Sequence, residues 1–426
     1  MDEENLIQCS FCGEIFDSRE TIFFKGRNEN VFVCEHCIAL SFNIISKTAK
    51  SVFNSNNSEE NTEYNNNAND IIFNKPEDYK NYLDQYIINQ DFAKQIFSVA
   101  IYNHIKKYKY NIENKNNLDA LHFNKSNVLM IGPSGSGKTL MIETMAKKLK
   151  IPYSITDATT LTEAGYVGND VEIVLKKLIE NANGSIEEAE HGIVFIDEID
   201  KLGRKGENPS LTRDVGSEGV QQALLKMLDG TIVDVQMSGG RRNPFAETVK
   251  IDTSNILFVC SGAFEGIEKI IKKRLVTGTN TSLLKADYSQ KEMSFNELII
   301  NVNANDLTKF GMLPELLGRL PVICAFEKLL IEALIKILTE PKNAIIKQYV
   351  ELFKLDNVEA EFTDDFLVAV AEKAIKLNTG ARSLGGILEK YMTKYMYQIP
   401  SDETIKKVIF TKKSFLGEEE PIFERK

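Results

Sequence analysis

The sequence predicts an α/β protein with a parallel sheet, followed by a smaller and mainly helical C-terminal region. Two apolar runs, at residues 128–131 and 193–196, are bounded by loop residues and alternate with helical patterns, as a parallel sheet requires. After about residue 322 strand-like runs become rare, and helical periodicity dominates residues 331–344 and 364–376. Two C-x-x-C pairs near the start predict a separate small module at the N-terminus.

Shifts in composition divide the chain into five segments. Asn and Ser dominate the stretch after the cysteines and apolar residues are few there, so we expect a flexible linker. The last residues are expected to form a solvated tail. The predicted segments are a cysteine-rich domain at residues 1–48, the linker at 49–74, a large α/β domain at 75–322, a small helical domain at 323–412 and the tail at 413–426.

The bulk composition indicates an ordinary soluble globular chain. Of the 426 residues, 43% are apolar and 26% are charged, and the net charge of −10 argues against a protein whose main task is to grip nucleic acid. No apolar run approaches the roughly 18 residues of a membrane span, and the acidic start does not resemble a secretory signal. We therefore expect no membrane association and a cytoplasmic location, with an organelle matrix as the alternative.

A complete phosphate-binding pattern, G-x-x-x-x-G-K-[ST], follows the first apolar run. Its glycines let backbone N–H groups surround phosphate oxygens, Lys138 would neutralise phosphate charge, and the Thr139 hydroxyl could reach Mg²⁺. A glycine-rich turn that merely reverses the chain does not explain why Lys and Thr follow in that order. The sequence predicts ATP and Mg²⁺ binding by Gly132, Pro133, Ser134, Gly135, Ser136, Gly137, Lys138, Thr139 and Leu140.

Two acidic residues end the second apolar run. Asp197 is expected to hold the Mg²⁺ ion of the nucleotide, and Glu198 to polarise the water that attacks the γ-phosphate. An acidic strand end is common by itself, but the combination with an upstream phosphate loop is far more specific. The sequence therefore predicts an ATPase with Glu198 as a catalytic residue.

Phosphoryl transfer also needs positive charge near the leaving phosphate. Arg319, in the run GRLP, and Arg382, in the run TGAR, are the two candidates. From the residues alone, either arginine could equally be a surface ion-pair partner.

The two C-x-x-C pairs have the spacing of a structural zinc site. Each pair can bind one edge of the metal from a tight turn, so that Cys9, Cys12, Cys34 and Cys37 close a tetrahedral Zn²⁺ site with no open position. The alternative is four buried thiols without a metal. His36 is interpreted as a neighbour of this site and not as a ligand.

Several runs of the sequence resemble the ClpX family of AAA+ unfoldases, the ATP-driven subunits of a bacterial and organellar protease. The resemblance extends from Cys9 to about Pro400, and its motifs are highly specific. It is carried by CSFCG at 9–13, YNH at 102–104, LTEAGYVG at 161–168, PSLTRDVGSEGVQQALL at 209–225, residues 310–322 and EPKNA at 340–344.

The resemblance implies roles for particular residues. The run YIINQ, with Ile87 and Ile88, would line the adenine pocket. Arg319 matches the arginine finger that reaches the ATP of a neighbouring subunit, and Arg382 matches a sensor arginine that binds nucleotide. A polar sensor is expected near Ser261, although its identity stays open. A finger acting between subunits implies a ring, which in the family is a homohexamer.

The same resemblance implies protein substrates threaded through a central pore. Tyr166 and Val167 would grip the polypeptide, since the glycines around them permit a mobile loop. Arg241 and Arg242 match a second pore-facing position. The alternatives are a buried tyrosine on a turn and a solvated basic turn.

One departure from the family concerns the partner peptidase. Members that dock on ClpP use an Ile/Leu/Val-Gly-Phe tripeptide, whereas this chain has Thr281-Ser282-Leu283 at that position. We expect weakened or absent docking, with either a role as specificity subunit of a Clp-type protease or a protease-independent remodelling role. Adaptors could bind through the zinc domain. A nucleic-acid-remodelling motor is the alternative function, and no peptidase site is expected within the chain itself.

Overall fold

The structure is a computed structural model that describes most of the chain. The chain divides into two compact units, Met1–Asn66 and Asn67–Lys426. Each unit has buried clusters of its own. The described residues are 6–17, 23–25, 31–35, 37–38, 75–114, 121, 123–162, 169–203, 215–237, 248–278, 293–377 and 379–426.

The N-terminal unit contains two pairs of short antiparallel strands. Strand β1 (Leu6–Gln8) pairs with β2 (Ile15–Asp17), and β3 (Phe23–Lys25) pairs with β4 (Phe32–Cys34). The backbone N–H of Ser10 donates to the Phe32 carbonyl at 2.7 Å and joins the two pairs. Among the residues of this unit whose burial is described, the buried ones are Cys9, Cys34 and Cys37, with Val33 packed against them. A unit this small needs more than a hydrophobic core to fold.

The second unit holds the remaining strands and the helices. Its described strands are β5 (Val128–Ile131), β6 (Tyr153–Asp157), β7 (Leu161–Thr162), β8 (Asn169–Asp170), β9 (Ile193–Asp197), β10 (Ile232–Gln236), β11 (Thr248–Asp252), β12 (Leu257–Gly262), β13 (Val322–Ala325), β14 (Glu359–Phe362), β15 (Ile405–Phe410) and β16 (Ile422–Arg425).

Helices alternate with these strands along the chain. The described helices are α1 (Pro76–Asp84), α2 (Asp91–Glu113), α3 (Lys138–Leu149), α4 (Ile173–Asn181), α5 (Ile186–Ala189), α6 (Val215–Asp229), α7 (Ile267–Gly278), α8 (Phe295–Ile299), α9 (Ala304–Phe310), α10 (Pro314–Gly318), α11 (Ile331–Thr339), α12 (Ile345–Leu355), α13 (Asp364–Lys376), α14 (Arg382–Gln398) and α15 (Lys412–Leu416). Among them, none combines the length and the apolar character that crossing a membrane requires.

Five strands form a parallel sheet in the order β13-β5-β12-β9-β6. Every residue of β5 is buried, because helices cover both faces. Side chains alternate between the faces: Val128 and Met130 join one core with α2 and α3, while Leu129 and Ile131 join the other with α4, α6 and α7. The prediction of a parallel α/β sheet is confirmed.

The C-terminal part has a separate core and is mostly helical. Helices α11 to α14 pack around Phe353, Phe366 and Leu388, together with Phe410 from a three-stranded sheet in the order β14-β15-β16. The sequence interpretation did not include this sheet. Its central strand β15 pairs in parallel with β14 and antiparallel with β16, so a segment distant in sequence and the chain end complete it.

Two segment boundaries differ from those expected. The boundary after residue 322 falls inside β13, whose residues pair with β5 in the parallel sheet, so the α/β part extends to Ala325. Residues 413–426, expected to form a solvated tail, are mostly exposed but adopt regular structure. They include most of α15 and the edge strand β16, and Ser414 is buried and accepts a hydrogen bond from the Tyr391 hydroxyl at 2.8 Å.

Candidate functional site

The carboxyl ends of three neighbouring strands bring the phosphate loop and the acidic pair to one edge of the parallel sheet. The loop follows β5, Ser261 lies near the end of β12, and Asp197 ends β9. The backbone N–H of Gly132 donates to the Gly262 carbonyl at 3.2 Å, which ties the loop to the end of β12. Ligands of open parallel sheets bind at this edge, so the topology places the predicted groups where a nucleotide would be expected.

Lys138 is the first residue of α3 and turns back into the loop. Its side chain is buried, and Nζ donates hydrogen bonds to the carbonyls of Gly132 at 2.7 Å and Pro133 at 3.0 Å. Burial lowers the pKa of Lys138 to about 8, against the attraction of Asp197 and Asp200. The loop therefore holds an ammonium group that gains from the arrival of phosphate charge.

Ser136 provides a test of whether the loop suits a phosphate. Its side chain is buried, and the hydroxyl has no hydrogen-bond partner among the described residues. An unpartnered buried hydroxyl is costly, and a phosphate oxygen would accept from it. The first N–H groups of α3 also lack partners within the helix and favour an anion there. The residues of the loop therefore fit a nucleotide phosphate group. Thr139 is half-buried and Leu140 is exposed at the start of the same helix.

The two acidic residues differ in how they are held. Asp197 is half-buried and accepts hydrogen bonds from the Ser261 hydroxyl and from the backbone N–H of Glu198, the latter at 2.9 Å. Glu198 has a left-handed backbone with φ of 57° and an exposed side chain. A non-glycine residue in that region is uncommon, and here it lies between the end of β9 and a short 3₁₀ helix, which it caps. One carboxylate is thus fixed in place and the other faces open space.

The segment between α1 and α2 contacts the phosphate loop. Ile87 is buried, and its Cγ2 lies 3.9 Å from the position that a Cβ on Gly137 would take, while Ile88 is half-buried. The buried Gln90 side chain donates to the Ser136 carbonyl at 3.4 Å and pairs with the backbone of Glu327. The structure therefore brings both predicted isoleucines beside the loop, and Gln90 clamps the segment there.

The turn that precedes Arg382 contacts the loop from the C-terminal part. It begins α14, directly after a turn whose Ala381 N–H donates to the Gly135 carbonyl at 3.3 Å. Gly380 has φ of 57°, and a Cβ on it would stand 2.8 Å from the Ser134 carbonyl oxygen, so the turn can approach this closely only with glycine. Arg382 is exposed, and its charge acts to lower the pKa of Lys138.

Arg319 lies apart from these residues. Its carbonyl accepts a hydrogen bond from the buried side chain of Asn127 at 2.9 Å, and its Nε forms an ion pair with Asp229 at 2.5 Å. Asn127 precedes β5 whereas Gly132 follows it, and a strand rises about 3.3 Å per residue. Arg319 therefore lies at the amino-terminal ends of the strands, about 16 Å from the phosphate loop at their carboxyl ends.

The predicted pore residues Tyr166, Val167, Arg241 and Arg242 lie outside the described residues, as does the segment at 281–283. The elements that flank them are described. Strands β7 and β8 pair in parallel on either side of 163–168, and β10 and β11 form an antiparallel pair on either side of 238–247.

The four predicted zinc ligands lie together in the N-terminal unit. The sulfur atoms of Cys9, Cys12, Cys34 and Cys37 are all within 4.8 Å of one another. The backbone N–H groups of Phe11 and Cys34 donate to Cys9 Sγ, both at 3.4 Å. Backbone hydrogen bonds hold the pKa of Cys9 down to about 6, whereas burial raises the pKa of Cys37 to about 12. Four sulfurs this close fit a tetrahedral zinc ion with bonds of about 2.3 Å.

Sequence reasoning missed three contacts of the predicted site residues. Gln90 belongs to the run YIINQ that was expected to line the adenine pocket, but its hydrogen bonds to the backbone of Ser136 and Glu327 were not predicted. Ser261 was left open, although a polar residue that ends an apolar strand was a usable signal. Asp229 gave no sequence signal, because its partner Arg319 is distant along the chain.

The comparisons with known proteins agree with this geometry. A family model of the AAA domain (Cdc48 subfamily) matches residues 124–323, and one of the C-terminal D2-small domain of ClpB protein matches residues 329–411.

Curated relatives match almost the whole chain. An ATP-dependent Clp protease ATP-binding subunit ClpX from Treponema denticola is 47% identical over 410 residues, which cover 95% of this chain and 93% of the relative. Proteins of the same name from Borrelia duttonii and Borrelia recurrentis are each 45% identical over 412 residues, covering 96% of this chain and 91% of theirs. The chain belongs to the ClpX family of AAA+ proteins and is an ATPase.

Proposed function

We propose that this protein is an ATP-dependent Clp-type unfoldase that works as a homohexameric ring and threads protein substrates through its central pore. The observation that carries the ring is the position of Arg319. The Arg319 guanidinium lies at the end of the sheet opposite the phosphate loop of its own chain, which supports the proposal that it serves the nucleotide of a neighbouring subunit. The names of the relatives support the Clp assignment.

The hydrolysis site is proposed from the residues at the carboxyl edge of the sheet. Lys138 and the loop amides bind the phosphates, and Thr139 and Asp197 would hold Mg²⁺, which supplies neutralising charge when bound. Glu198, exposed next to the fixed Asp197, orients the attacking water and accepts its proton. Ile87 and Ile88 are proposed to hold adenine, since Ile87 lies beside Gly137.

Arg382 is proposed to report the state of the nucleotide to the C-terminal part. The turn before it contacts Ser134 and Gly135 directly, so a shift of the phosphate loop would reach α14 through that contact. The movement of the C-terminal part would then tilt the subunit. Such a tilt could move the segments that carry Tyr166, Val167, Arg241 and Arg242, whose flanking strands belong to the same unit.

The unfolding activity is testable with a fluorescent protein that carries an unstructured tail. We expect ATP-dependent loss of fluorescence, which Tyr166→Ala abolishes while ATP hydrolysis continues. Tyr397→Ala is the matched control, because Tyr397 is an exposed tyrosine of the C-terminal part, 83% accessible. A protein that stays monomeric in saturating ATP, or a Tyr166→Ala variant that still unfolds the substrate, would contradict the proposal.

The relation to a peptidase is proposed from the sequence at 281–283. Without the Gly and Phe of the docking tripeptide, each contact would lose about 2 kcal/mol or more, and the loss is multiplied around a ring. We therefore propose that the protein docks weakly on a ClpP-type peptidase and that its unfolding activity does not depend on the peptidase. We also propose that it works in the cytoplasm. Size-exclusion chromatography with the cognate peptidase and ATP tests this proposal, and a stable complex that is lost when this segment is changed would refute it.

A further inference from the structure

The Arg319 side chain is held by one carboxylate. Its Nε lies 2.5 Å from Asp229 Oδ1, with side-chain exposures of 55% for Arg319 and 37% for Asp229. Within the described part of the chain, neither terminal nitrogen of Arg319 donates a hydrogen bond. An exposed arginine otherwise samples many rotamers, and ordering one costs free energy. The ion pair therefore restricts the positions of the guanidinium while its two terminal nitrogens stay available.

A buried amide fixes the two partners relative to each other. Asn127 is buried, and its Nδ2 donates to the Arg319 carbonyl at 2.9 Å and to the Leu228 carbonyl at 3.3 Å, while its Oδ1 accepts from the backbone N–H of Phe258 at 3.3 Å. Leu228 immediately precedes Asp229. The backbone of Arg319 and the last turn of α6 are thus attached to the same side chain, so the ion pair is not a chance encounter of two surface groups.

Asp229 also lies at a position of its helix that disfavours a carboxylate. It is the last residue of α6, where the carbonyl end of the helix dipole disfavours a negative charge. A carboxylate at this position therefore gains little from its own helix. Its interaction with the Arg319 guanidinium offsets that disadvantage.

We infer that Asp229 is the positioning residue of the arginine finger: it holds Arg319 by Nε at the edge of the subunit and presents the terminal nitrogens to the nucleotide of the adjacent subunit. A guanidinium binds phosphate oxygens best through two parallel N–H groups, and a finger oriented in advance loses less entropy when it reaches them. This inference rests on the proposed role of Arg319 between subunits.

The test compares ATP hydrolysis by the assembled full-length protein with Asp229→Ala, Asp229→Glu and Arg319→Ala. We expect Asp229→Ala to lower kcat about three- to tenfold with the KM for ATP changed less than about twofold, since the finger is misplaced while the nucleotide pocket is intact. Asp229→Glu should recover most of the activity. Asp234→Asn is the control, because Asp234 is an exposed carboxylate on the neighbouring β10, and it should match the wild type.

The double variant separates positioning from a general structural role. Adding Asp229→Ala to Arg319→Ala should cause no further loss of kcat, because the carboxylate then has no finger to hold. A further loss, or a ring that falls apart with Asp229→Ala alone, would overturn the inference. So would an unchanged kcat in Asp229→Ala when Arg319→Ala is inactive, a result that leaves the proposed function standing. Full activity of an assembled Arg319→Ala ring would instead refute the finger and the inference with it.

Discussion

The Ser261 hydroxyl donates a hydrogen bond to Asp197 across the neighbouring strands β12 and β9. Ser261 is fully buried, and Asp197 also accepts the backbone N–H of Glu198 at 2.9 Å. Two donors thus fix the orientation of the carboxylate proposed to hold Mg²⁺. Removing a group that orients a metal ligand typically lowers metal affinity or activity about 10- to 100-fold.

Removing this hydroxyl should weaken the response to Mg²⁺. A hydrogen bond to a charged acceptor is worth about 1.5–3 kcal/mol. We expect Ser261→Ala to raise the Mg²⁺ concentration for half-maximal ATPase activity about tenfold to a hundredfold. Ser154→Ala is the control, since Ser154 is a buried serine of the same sheet that donates to the Val174 carbonyl at 3.1 Å. Equal Mg²⁺ responses in the two variants would argue against a positioning role for Ser261.

Glu198→Gln should bind ATP and protein substrate yet hydrolyse ATP about 10² to 10⁴ times more slowly. The amide keeps the size of the side chain but cannot accept a proton from water, and general-base catalysis contributes a factor of this order. Because Glu198 is exposed, the change should leave thermal stability unaltered. ATP turnover and nucleotide retention on a desalting column measure the two effects. Hydrolysis at the wild-type rate would exclude Glu198 as the base.

ATP affinity should fall as the pH rises through about 8. Burial first, and then the charge of Arg382, lower the pKa of Lys138 to about 8 in the nucleotide-free protein, whereas Asp197 and Asp200 act to raise it. Bound phosphates stabilise the ammonium form and raise its pKa. Above pH 8 binding must therefore take up a proton, and affinity should decrease up to about tenfold per pH unit until the pKa of the complex is reached.

The control for this pH dependence is Lys138→Met. Its affinity should be lower at every pH, but the slope above pH 8 should be absent. Equilibrium binding of a fluorescent ATP analogue between pH 7 and pH 9.5 measures both proteins. A slope that persists in the methionine variant would assign the titration to another group.

The parallel sheet and the phosphate loop were predictable because their signals are local. A continuous apolar run followed by glycines, Lys138 and Thr139 specifies strand, loop and helix within a dozen residues. The spacing of the cysteines was sufficient to predict that the four sulfurs lie together, because it too is a local signal. The edge strand β16 was not predictable, since its residues are mostly exposed and it has no apolar run of its own. It forms only because β15 offers it an unpaired edge.

Contacts between segments that are distant along the chain account for the other features that the sequence did not predict. Arg319 meets Asp229, and Asp197 meets Ser261, only after the strands between them have taken their order in the sheet. No periodicity or spacing encodes such pairs. The segment boundary at 322 failed for a related reason, because the short run of β13 becomes recognisable as a strand of the large sheet only beside β5.

Gly380→Ala should impair the contact between the C-terminal part and the phosphate loop. The residue has φ of 57°, and the added Cβ would stand 2.8 Å from the Ser134 carbonyl, so alanine costs about 1 kcal/mol or more in backbone strain and also displaces the turn. Arg382 would move with the turn, and we expect the KM for ATP to rise about threefold or more.

Gly385→Ala is the matched control for that change. Gly385 lies within α14, and an added Cβ there meets nothing within 4 Å. Alanine should stabilise the helix by about 0.5–1 kcal/mol and leave the KM for ATP unchanged. Thermal unfolding and ATPase kinetics distinguish the two variants. An equal rise in KM for both would mean that the close approach at Gly380 is irrelevant to nucleotide binding.

Zinc content tests the N-terminal unit. The described residues that are buried there include Cys9, Cys34 and Cys37, and zinc binding by four thiolates is worth about 10–16 kcal/mol, enough to fold a unit this small. We expect one zinc ion per chain in the purified protein and almost none in Cys12→Ala, with faster proteolysis of the first residues. Cys324→Ala should keep its zinc, because Cys324 is buried in the parallel sheet, where its thiol donates to the Ala93 carbonyl. Atomic absorption measures the metal directly. A wild-type protein that folds its N-terminal unit without zinc would show that the four sulfurs have another purpose.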